Sequence, residues 1–215
     1  KEKVSVCIPV YNGESTIAET IQSIRVQTFK DFELVIVDNA STDNTVDIVK
    51  SVKDDRIKLY VNEKNVGCGG NLEECKEKSI GDIIFYICAD DILDVDAVKK
   101  VYDAFKISDD IGVVVRPYYW FDKDVAKPVR AMKQYVENEV VSIDDSYEKI
   151  KDIIEYAGQI SGIGLRKKYM NVSFRYEPFI EIGALVIAMM KNCKVVVLKD
   201  NIVAVRISAS GSRNS

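Results

Sequence analysis

Short runs of apolar, β-branched residues alternate with stretches of helical periodicity along the first half of the chain. The run VSVCIPV (4–10) predicts a buried strand, and within residues 15–28 Ile17, Ile21 and Ile24 are placed at helical spacing. The same order then repeats, with further strands predicted at 32–38, 56–62 and 82–90 and further helices at 39–52, 72–80 and 94–107. Strands that alternate with helices are joined by parallel crossovers, so the pattern predicts a mainly parallel sheet with helices on both faces.

The pattern loosens after about residue 110. Residues 111–122 are apolar and aromatic enough for one or two strands, and residues 123–142 are expected to form a loop. Beyond them the sequence predicts two helices and a closing pair of strands, at 146–157, near 179–192, at 194–200 and at 202–208. No linker rich in proline, glycine or serine divides the chain, so we expect one α/β domain whose second half extends the same sheet.

The charge balance and the absence of histidine exclude several classes of function. The chain carries 30 Lys and Arg against 34 Asp and Glu, a net charge of −4, and the basic residues are interspersed with acidic ones. Nucleic acid is therefore not an expected partner. Without histidine, Ser-His-Asp triads and histidine zinc sites are ruled out. Carboxylates, phenols, thiols, amines or a metal must supply any chemistry.

The chain has five cysteines, an odd number, and no pair of them has the CxxC spacing. Cys7 and Cys88 lie inside apolar runs, so we expect most thiols to be small core residues in a reducing cytoplasm. The first residues, KEKVSVCIPVYN, lack the apolar segment of a signal peptide, and no stretch reaches the length of a membrane span. The apolar residues of 180–190 favour packing, although a helix lying on a membrane surface would have a similar pattern.

Polar residues follow three of the predicted strands, in PVYNGE (9–14), VDNASTDN (37–44) and CADD (88–91). The carboxyl ends of parallel strands meet at one edge of a sheet, where α/β proteins bind their ligands. We therefore expect a single cleft lined by Tyr11, Asn12, Glu14, Asp38, Asn39, Asp90 and Asp91.

The adjacent carboxylates Asp90 and Asp91 repel each other, so their placement needs solvent or a compensating cation. Mg²⁺ or Mn²⁺ would compensate both charges and would in turn neutralise a diphosphate. The alternative interpretation is an acid pair at a helix N-terminus, where the helix dipole stabilises it. Asp38 has two interpretations as well, because a strand-end aspartate accepts hydrogen bonds either from a nucleotide or within an ordinary turn.

Four segments together resemble the successive motifs of family 2 inverting glycosyltransferases with the GT-A fold: IPVYNGE (8–14), VDNASTDNT (37–45), NVGCGGN (65–71) and GDIIFYICADDIL (81–93). Each motif alone is common, but their order and spacing match as well. The resemblance is strong over residues 4–107 and continues at 161–170 and 181–206. It implies a single Rossmann-like GT-A domain over residues 1–215, with a nucleotide-sugar-binding half at 1–110 and an acceptor-side half at 111–215.

The resemblance implies roles for individual residues. A UDP-sugar would be bound by residues from all four motifs, namely Pro9, Tyr11, Asn12, Glu14, Asp38, Asn39, Gly67, Asn71 and Asp90. Asp38 would contact the uracil ring, and Asp91, with Asp90, would hold Mn²⁺ or Mg²⁺. The glycines of 65–71 could equally supply only turn conformations. They do not form a dinucleotide-binding fingerprint, which argues against a nicotinamide dehydrogenase.

The chain departs from the family pattern at several positions. Cys88 replaces the first acid of the metal motif, and Gly70 replaces a basic residue of the third motif. Ile182 stands where the family commonly has the aspartate that acts as the catalytic base. The base is therefore expected to be Glu181 or Glu177.

The function that the resemblance implies is transfer of a sugar from a UDP-sugar to an acceptor hydroxyl, with inversion and with a divalent metal. Its implied setting is surface polysaccharide or glycolipid assembly, on a saccharide or lipid-linked acceptor at the cytoplasmic face of the membrane. Trp120 in PYYWF (117–121) is a candidate acceptor contact, although aromatic residues in a sheet more often belong to the core. Because of Ile182, the alternative is a module of the same fold that binds a nucleotide-sugar without transferring it.

Overall fold

The computed structural model describes residues 2–171, 173–176 and 182–207. Its strands are, in chain order, β1 (Val4–Val10), β2 (Phe32–Asp38), β3 (Ile57–Val61), β4 (Ile83–Tyr86), β5 (Ile92–Leu93), β6 (Ile111–Val115), β7 (Tyr119–Phe121), β8 (Arg130–Ala131), β9 (Glu139–Val141), β10 (Ile163–Arg166), β11 (Lys194–Val197) and β12 (Val203–Arg206). The helices are α1 (Ile17–Arg25), α2 (Thr45–Ser51), α3 (Gly67–Lys78), α4 (Ala97–Phe105), α5 (Tyr147–Ala157) and α6 (Ile182–Met190), with 3₁₀ turns at Lys167–Tyr169 and Phe174–Tyr176.

Eight strands form the central sheet, in the order β3-β2-β1-β4-β10-β6-β11-β9. β9 and β10 run antiparallel to their neighbours, and the other pairs are parallel. The predicted, mainly parallel sheet is thus confirmed. The strand order reverses at β1, because β2 and β3 lie on one side of it and β4 on the other. Such a reversal is where open α/β sheets bind ligands, beyond the carboxyl ends of the strands.

Helices cover both faces of this sheet, as predicted. Successive residues of a strand point to opposite faces, so Val6 and Ile8 of β1 join one buried cluster and Cys7 joins the other. The first cluster includes apolar residues of α1, α2 and α4, and the second includes those of α3, α5 and α6. Two separate cores therefore hold β1 at the centre of the domain.

A second, four-stranded sheet has the order β5-β12-β7-β8. The prediction that the second half simply extends the central sheet is therefore only partly right. β6 and β11 enter the central sheet, whereas β7 and β12, which follow them in the chain, pair with each other in the small sheet. Hydrophobic periodicity cannot distinguish these outcomes, because it predicts a strand without indicating its partner. The expected loop at 123–142 likewise contains the short strands β8 and β9.

Three predicted boundaries near the expected cleft were wrong. α2 begins at Thr45 rather than at residue 39, so residues 39–44 form a loop after β2. α3 begins at Gly67, so most of the expected glycine loop is the first turn of a helix. Gly70 fits there because a Cβ would lie 2.9 Å from Val66 Cγ2. β4 ends at Tyr86 rather than near residue 90, so the acid pair follows the strand instead of terminating it.

Among the described residues, no helix combines the length and the apolar character that a membrane span requires. The longest of the helices, α3, has 12 residues.

We predict that Asp54→Asn destabilises the protein in a pH-dependent way. Hydrogen bonds from Arg56 lower the pKa of Asp54 from 3.8 to about 2, and its carboxylate also contacts Arg25 at 3.6 Å. Because the folded-state pKa is depressed, this stabilisation is present above the unfolded value and is lost as the pH falls through about 2. The free energy of unfolding of wild type should exceed that of Asp54→Asn by about 2 kcal/mol at pH 7 and by about half of that at pH 3.

Urea unfolding between pH 7 and pH 3 measures this difference. The neighbouring exposed acid provides the control, since Asp55→Asn should leave the free energy of unfolding almost unchanged. A gap between wild type and Asp54→Asn that does not change with pH would contradict the assignment.

Candidate functional site

A cleft opens where β1 separates from β4. The two strands pair from Val4 to Cys7, and the Ile87 N–H still donates to the Cys7 carbonyl at 3.0 Å. Two residues further along β1 stands Pro9, which has no N–H with which to continue the ladder. The segment after Ile87 therefore leaves β1, and residues 88–91 form a loop at the carboxyl edge of the sheet.

Asp38 is the last residue of β2 and lies opposite Val10 of β1. Its side chain is fully buried, and its Oδ2 accepts a hydrogen bond from the Ser41 N–H at 2.9 Å. Its Oδ1 is also buried, and no described residue donates to it. A buried acceptor without a donor is costly, and this oxygen can accept a hydrogen bond from an external N–H or O–H group.

The loops that follow β1 and β2 are tied together by side chains. Asn12 receives a hydrogen bond on its Oδ1 from the Thr42 N–H at 2.8 Å, and its own N–H donates to Ser41 Oγ at 2.8 Å. Glu14 Oε2 accepts two bonds from Asn44, at 3.0 and 2.9 Å. Asn12 and Glu14 were predicted to line the pocket. Their contacts show that they hold the second loop in place, and direct contact with a ligand stays a prediction.

Tyr11 is the first residue after β1. It is 45% exposed, whereas Pro9 two residues earlier is half-buried. The loop that carries Tyr11 touches the acidic loop, because a Cβ added to Gly13 would lie 3.6 Å from Ala89 Cβ. The polar ends of β1, β2 and β4 are therefore brought to one edge, as the sequence predicted.

Asn39 and Asn71 form a buried amide network. The Asn39 Nδ2 group donates to Asn65 Oδ1 at 2.8 Å, and its Oδ1 accepts from Asn62 at 3.1 Å. Asn71 donates to the Val37 carbonyl at 3.0 Å and accepts from Asn62 at 3.1 Å. Both side chains are 3% exposed. The network links the end of β2 to α3, so these two residues have a structural role, and their predicted contact with a ligand stays a prediction.

Gly67, which with Asn71 was predicted from the motif at 65–71, begins α3 with φ +78°. Its N–H already donates to Asn65 Oδ1 at 2.8 Å. The glycine therefore supplies a left-handed backbone conformation, which was one of the two interpretations of this motif.

Asp91 is almost completely buried, at 1% exposure, and donors within the chain bond both of its oxygens. The Arg206 N–H donates to Oδ1 at 2.9 Å, and the Ser161 hydroxyl donates to Oδ2. Burial, together with the charge of Asp90, raises the pKa of Asp91 to about 7. The predicted role of Asp91 as a metal ligand stays a prediction. Asp90, the second predicted ligand, is half-buried.

Two residues that sequence analysis missed support the acidic loop. The Ser161 hydroxyl, which donates to Asp91, also accepts a hydrogen bond from the Cys88 N–H at 2.8 Å. Arg116 is fully buried and donates to the carbonyls of Tyr156, at 2.8 Å, and of Ser161. A lone arginine after the apolar run IGVVV (111–115) is a signal that could have identified it, because a buried charge requires partners.

Arg116 also affects the electrostatics of the loop. Its charge interacts with Asp91 and Cys88, and burial lowers its pKa to about 10. The guanidinium therefore stays protonated at neutral pH and offsets part of the negative charge of the acids.

Three potential metal-ligand atoms meet in the acidic loop. Cys88 Sγ and one oxygen each of Asp90 and Asp91 lie within 4.8 Å of one another. Carboxylate oxygens suit Mg²⁺ and Mn²⁺, and a thiolate suits softer cations. The donor set therefore fits a divalent cation.

The two candidate bases, Glu177 and Glu181, lie outside the described residues. Ile182, the residue that replaces the family's aspartate, is the first residue of α6 and is 6% exposed in the core. Trp120 is half-buried on β7, where it packs against Tyr118 with ring centroids 4.7 Å apart and against the Arg130 guanidinium at 4.8 Å. These contacts resemble packing, and an acceptor contact at Trp120 stays a prediction.

Several curated relatives match less than half of the chain. EpsE of Bacillus subtilis, a glycosyltransferase by name, is 42% identical over 93 residues, which are 42% of this chain and 34% of EpsE. The UDP-Glc:alpha-D-GlcNAc-diphosphoundecaprenol beta-1,3-glucosyltransferase WfgD of Escherichia coli is 38% identical over 89 residues, 41% of this chain and 35% of WfgD. The chain thus spans about a third of the length of these relatives.

Solved structures match nearly the whole chain. S. aureus TarS in complex with UDP-GlcNAc superposes with a TM-score of 0.80 at 22% identity, over 99% of this chain and 61% of that one. The mannosyltransferase PcManGT from Pyrobaculum calidifontis, in complex with GDP-Man and Mn²⁺, superposes with a TM-score of 0.67 at 17% identity. The match covers 100% of this chain and 59% of that one. At these identities the likeness establishes the fold, and it confirms the predicted GT-A architecture.

The family is established by sequence. The family model described as Glycosyl transferase family 2 matches residues 5–142, which include all four motifs identified above. This match covers more than half of the chain, and the chain therefore belongs to glycosyl transferase family 2.

Proposed function

We propose that this chain binds a UDP-sugar at the carboxyl edge of β1, β2 and β4 and transfers the sugar to an acceptor hydroxyl with inversion. The observation that carries the proposal is Asp38 Oδ1, a buried oxygen without a donor among the described residues. The N–H of a uracil ring is a suitable donor, and Tyr11, which is exposed and follows the strand partner of Asp38, Val10, would offer a ring on which the base stacks. TarS, which shares the fold, has been solved with UDP and with UDP-GlcNAc.

The diphosphate of the donor would lie at the acidic loop, and a cation must separate these like charges. Asp90 would hold Mn²⁺ or Mg²⁺ there, together with other members of the Cys88–Asp90–Asp91 cluster. A bound divalent cation supplies stabilisation of the negative charge that builds on the departing diphosphate. PcManGT was solved with Mn²⁺ beside its own nucleotide-sugar, in a related fold.

Inversion requires a base on the face of the sugar opposite the leaving group, and it requires no covalent enzyme intermediate. Ile182 cannot serve, because its side chain is aliphatic and buried. We assign the proton-accepting role to Glu181 or Glu177, the acids that precede Ile182 in the sequence. Either carboxylate would remove the proton of the acceptor hydroxyl as the new bond forms.

The half formed by residues 111–215 would bind the acceptor. Its strand β12 borders the site, because the Arg206 N–H bonds Asp91. The strand β7 lies beside β12, with Trp120 opposite Val205 and Phe121 opposite Arg206. WfgD, by its name, acts on a sugar linked to diphosphoundecaprenol. We therefore propose a saccharide or lipid-linked acceptor, in surface polysaccharide or glycolipid assembly at the cytoplasmic face of the membrane.

A second candidate function is binding of a nucleotide-sugar without transfer. Ile182 favours it, because a core residue occupies the position at which the family pattern places the base. The two candidates predict the same nucleotide binding and differ only in turnover.

We expect UDP to bind more tightly than GDP, CDP or dTDP, and Mn²⁺ to strengthen its binding. Asp90→Asn should reduce the affinity in the presence of Mn²⁺ by about 10- to 100-fold, because a charged ligand to the metal is lost, and leave metal-free binding unchanged. Calorimetric titrations with and without Mn²⁺ measure both. The exposed acid Asp47 of α2 provides the control, since Asp47→Asn should bind as wild type does. Equal binding of all four nucleotides would contradict the uracil assignment.

We expect Asp38→Asn to lower the affinity for UDP by about 10- to 100-fold, because a hydrogen bond to a charged acceptor is lost. The same substitution should not lower the free energy of unfolding, since Oδ1 has no donor among the described residues. Calorimetry and urea unfolding on one preparation test both statements. A variant that loses stability but keeps its UDP affinity would show that Asp38 only closes a turn.

We expect either Glu181→Gln or Glu177→Gln to slow sugar transfer by about 10²- to 10⁴-fold with unchanged UDP affinity, because only the base is lost. Release of UDP from UDP-sugars, with and without a saccharide acceptor, measures turnover. Tight UDP binding by a wild-type protein that neither hydrolyses nor transfers sugar would favour the binding module.

A further inference from the structure

We propose that Cys88 is a ligand of the divalent cation in the acidic loop, so that this site prefers thiophilic cations such as Zn²⁺ and Co²⁺ to Mg²⁺. The inference rests on the proposed function only for the presence of a cation at this loop. It concerns the position at which the chain carries a thiol instead of the family's carboxylate.

The distances in the cluster suit a shared ion. Zn–S bonds are about 2.3 Å and Zn–O bonds about 2.1 Å, so a tetrahedral ion holds sulfur and oxygen ligands about 3.6 Å apart. Cys88 Sγ, Asp90 and Asp91 already place their ligand atoms within 4.8 Å of one another. Rotation of the Cys88 and Asp90 side chains, which moves their ligand atoms by about 1 Å, would close the remaining distance while Asp91 keeps its donors and the backbone is unchanged.

The backbone of the loop is fixed from several sides, which keeps the three side chains together. The Cys88 N–H donates to Ser161 Oγ at 2.8 Å, and the Thr20 hydroxyl bonds the carbonyls of Ala89, at 2.9 Å, and Asp91, at 2.8 Å. The thiol itself makes a long contact, 3.9 Å from Sγ to Gln159 Oε1, and it also interacts with the Ser161 hydroxyl. A bond to a metal would replace these weak contacts.

The chemistry of sulfur determines the preference. Three carboxylates would present only hard oxygen ligands, which suit Mg²⁺ and Mn²⁺. A thiolate is a soft ligand and selects Zn²⁺ and other thiophilic ions, while the two remaining carboxylates still accept a first-row divalent ion. The cysteine at position 88 therefore changes which cation binds most tightly, while a cation still binds at the same loop.

Titration with Co²⁺ tests the proposal directly, because a thiolate bound to Co²⁺ gives an intense charge-transfer absorption that oxygen ligands do not. Wild type should show this absorption, and Cys88→Ser should lose it and bind Co²⁺ and Zn²⁺ at least about tenfold more weakly. Cys68→Ser is the matched control. Cys68 is exposed at the start of α3 and near enough to Cys88 for their charges to interact, yet its loss should leave the absorption unchanged.

Thiol protection supplies a measurement that needs no variant. Saturating Zn²⁺ should slow alkylation of Cys88 in the wild-type protein by about tenfold or more, since the thiolate is both the metal ligand and the nucleophile. The exposed Cys68 should react at the same rate with and without Zn²⁺. Mass spectrometry of the two peptides reports each rate separately.

Cys88→Asp provides the converse test. With three carboxylates, this variant should bind Zn²⁺ more weakly and Mg²⁺ more tightly than wild type, which reverses the preference. An absorption that is absent from wild type, or that persists in Cys88→Ser, would overturn the proposal, as would equal alkylation with and without Zn²⁺. The Co²⁺ spectrum is recorded without nucleotide, so it tests the thiolate ligand alone. A separate UDP titration of the same samples tests the proposed nucleotide binding.

Discussion

The candidate site depends on the buried carboxyl of Asp91. It receives a hydrogen bond from Ser161, which precedes β10 of the central sheet, and another from Arg206 on β12 of the small sheet. A carboxylate in an apolar interior is costly unless donors and an opposite charge surround it. Here two donors bond it directly, and the charge of the buried Arg116 acts on it. One side chain thus joins the loop after β4 to both sheets.

Because Asp91 is anchored in this way, the two adjacent acids have different roles. With Asp91 held inside, the neighbouring side chains of the loop, Asp90 and Cys88, are left at the half-buried surface that faces the cleft. The motif that the sequence presents as a pair of equivalent carboxylates is therefore asymmetric in the fold. The more buried acid fixes the loop, and the more exposed acid is the one that we propose binds a cation. The mutual repulsion of the pair also acts on Asp91, where it helps to raise the pKa.

Much of this arrangement could be predicted from the sequence, because it follows from local patterns. The bounds of β1 and β2 were predicted correctly, and their parallel pairing brings Asp38 to the same edge as Tyr11. The end of β4 was not predicted correctly, because Pro9 on the neighbouring strand β1 interrupts the hydrogen bonding between β1 and β4. The start of α3 was not predicted correctly either, because glycines can begin a helix as well as a loop. Arg116 was missed for a related reason, since its partners are carbonyls 40 to 45 residues away in the chain.

Comparison of the two buried aspartates indicates where a ligand belongs. Asp91 has a donor for each oxygen, so the chain alone accounts for its burial. Asp38 is equally buried, yet its Oδ1 has no donor among the described residues. Folding gains nothing from such an oxygen, because an apolar side chain of similar size would avoid the loss of its hydration. A bound partner that supplies the donor would account for the unsatisfied acceptor, and the end of β2 is therefore where we propose that the nucleotide base binds.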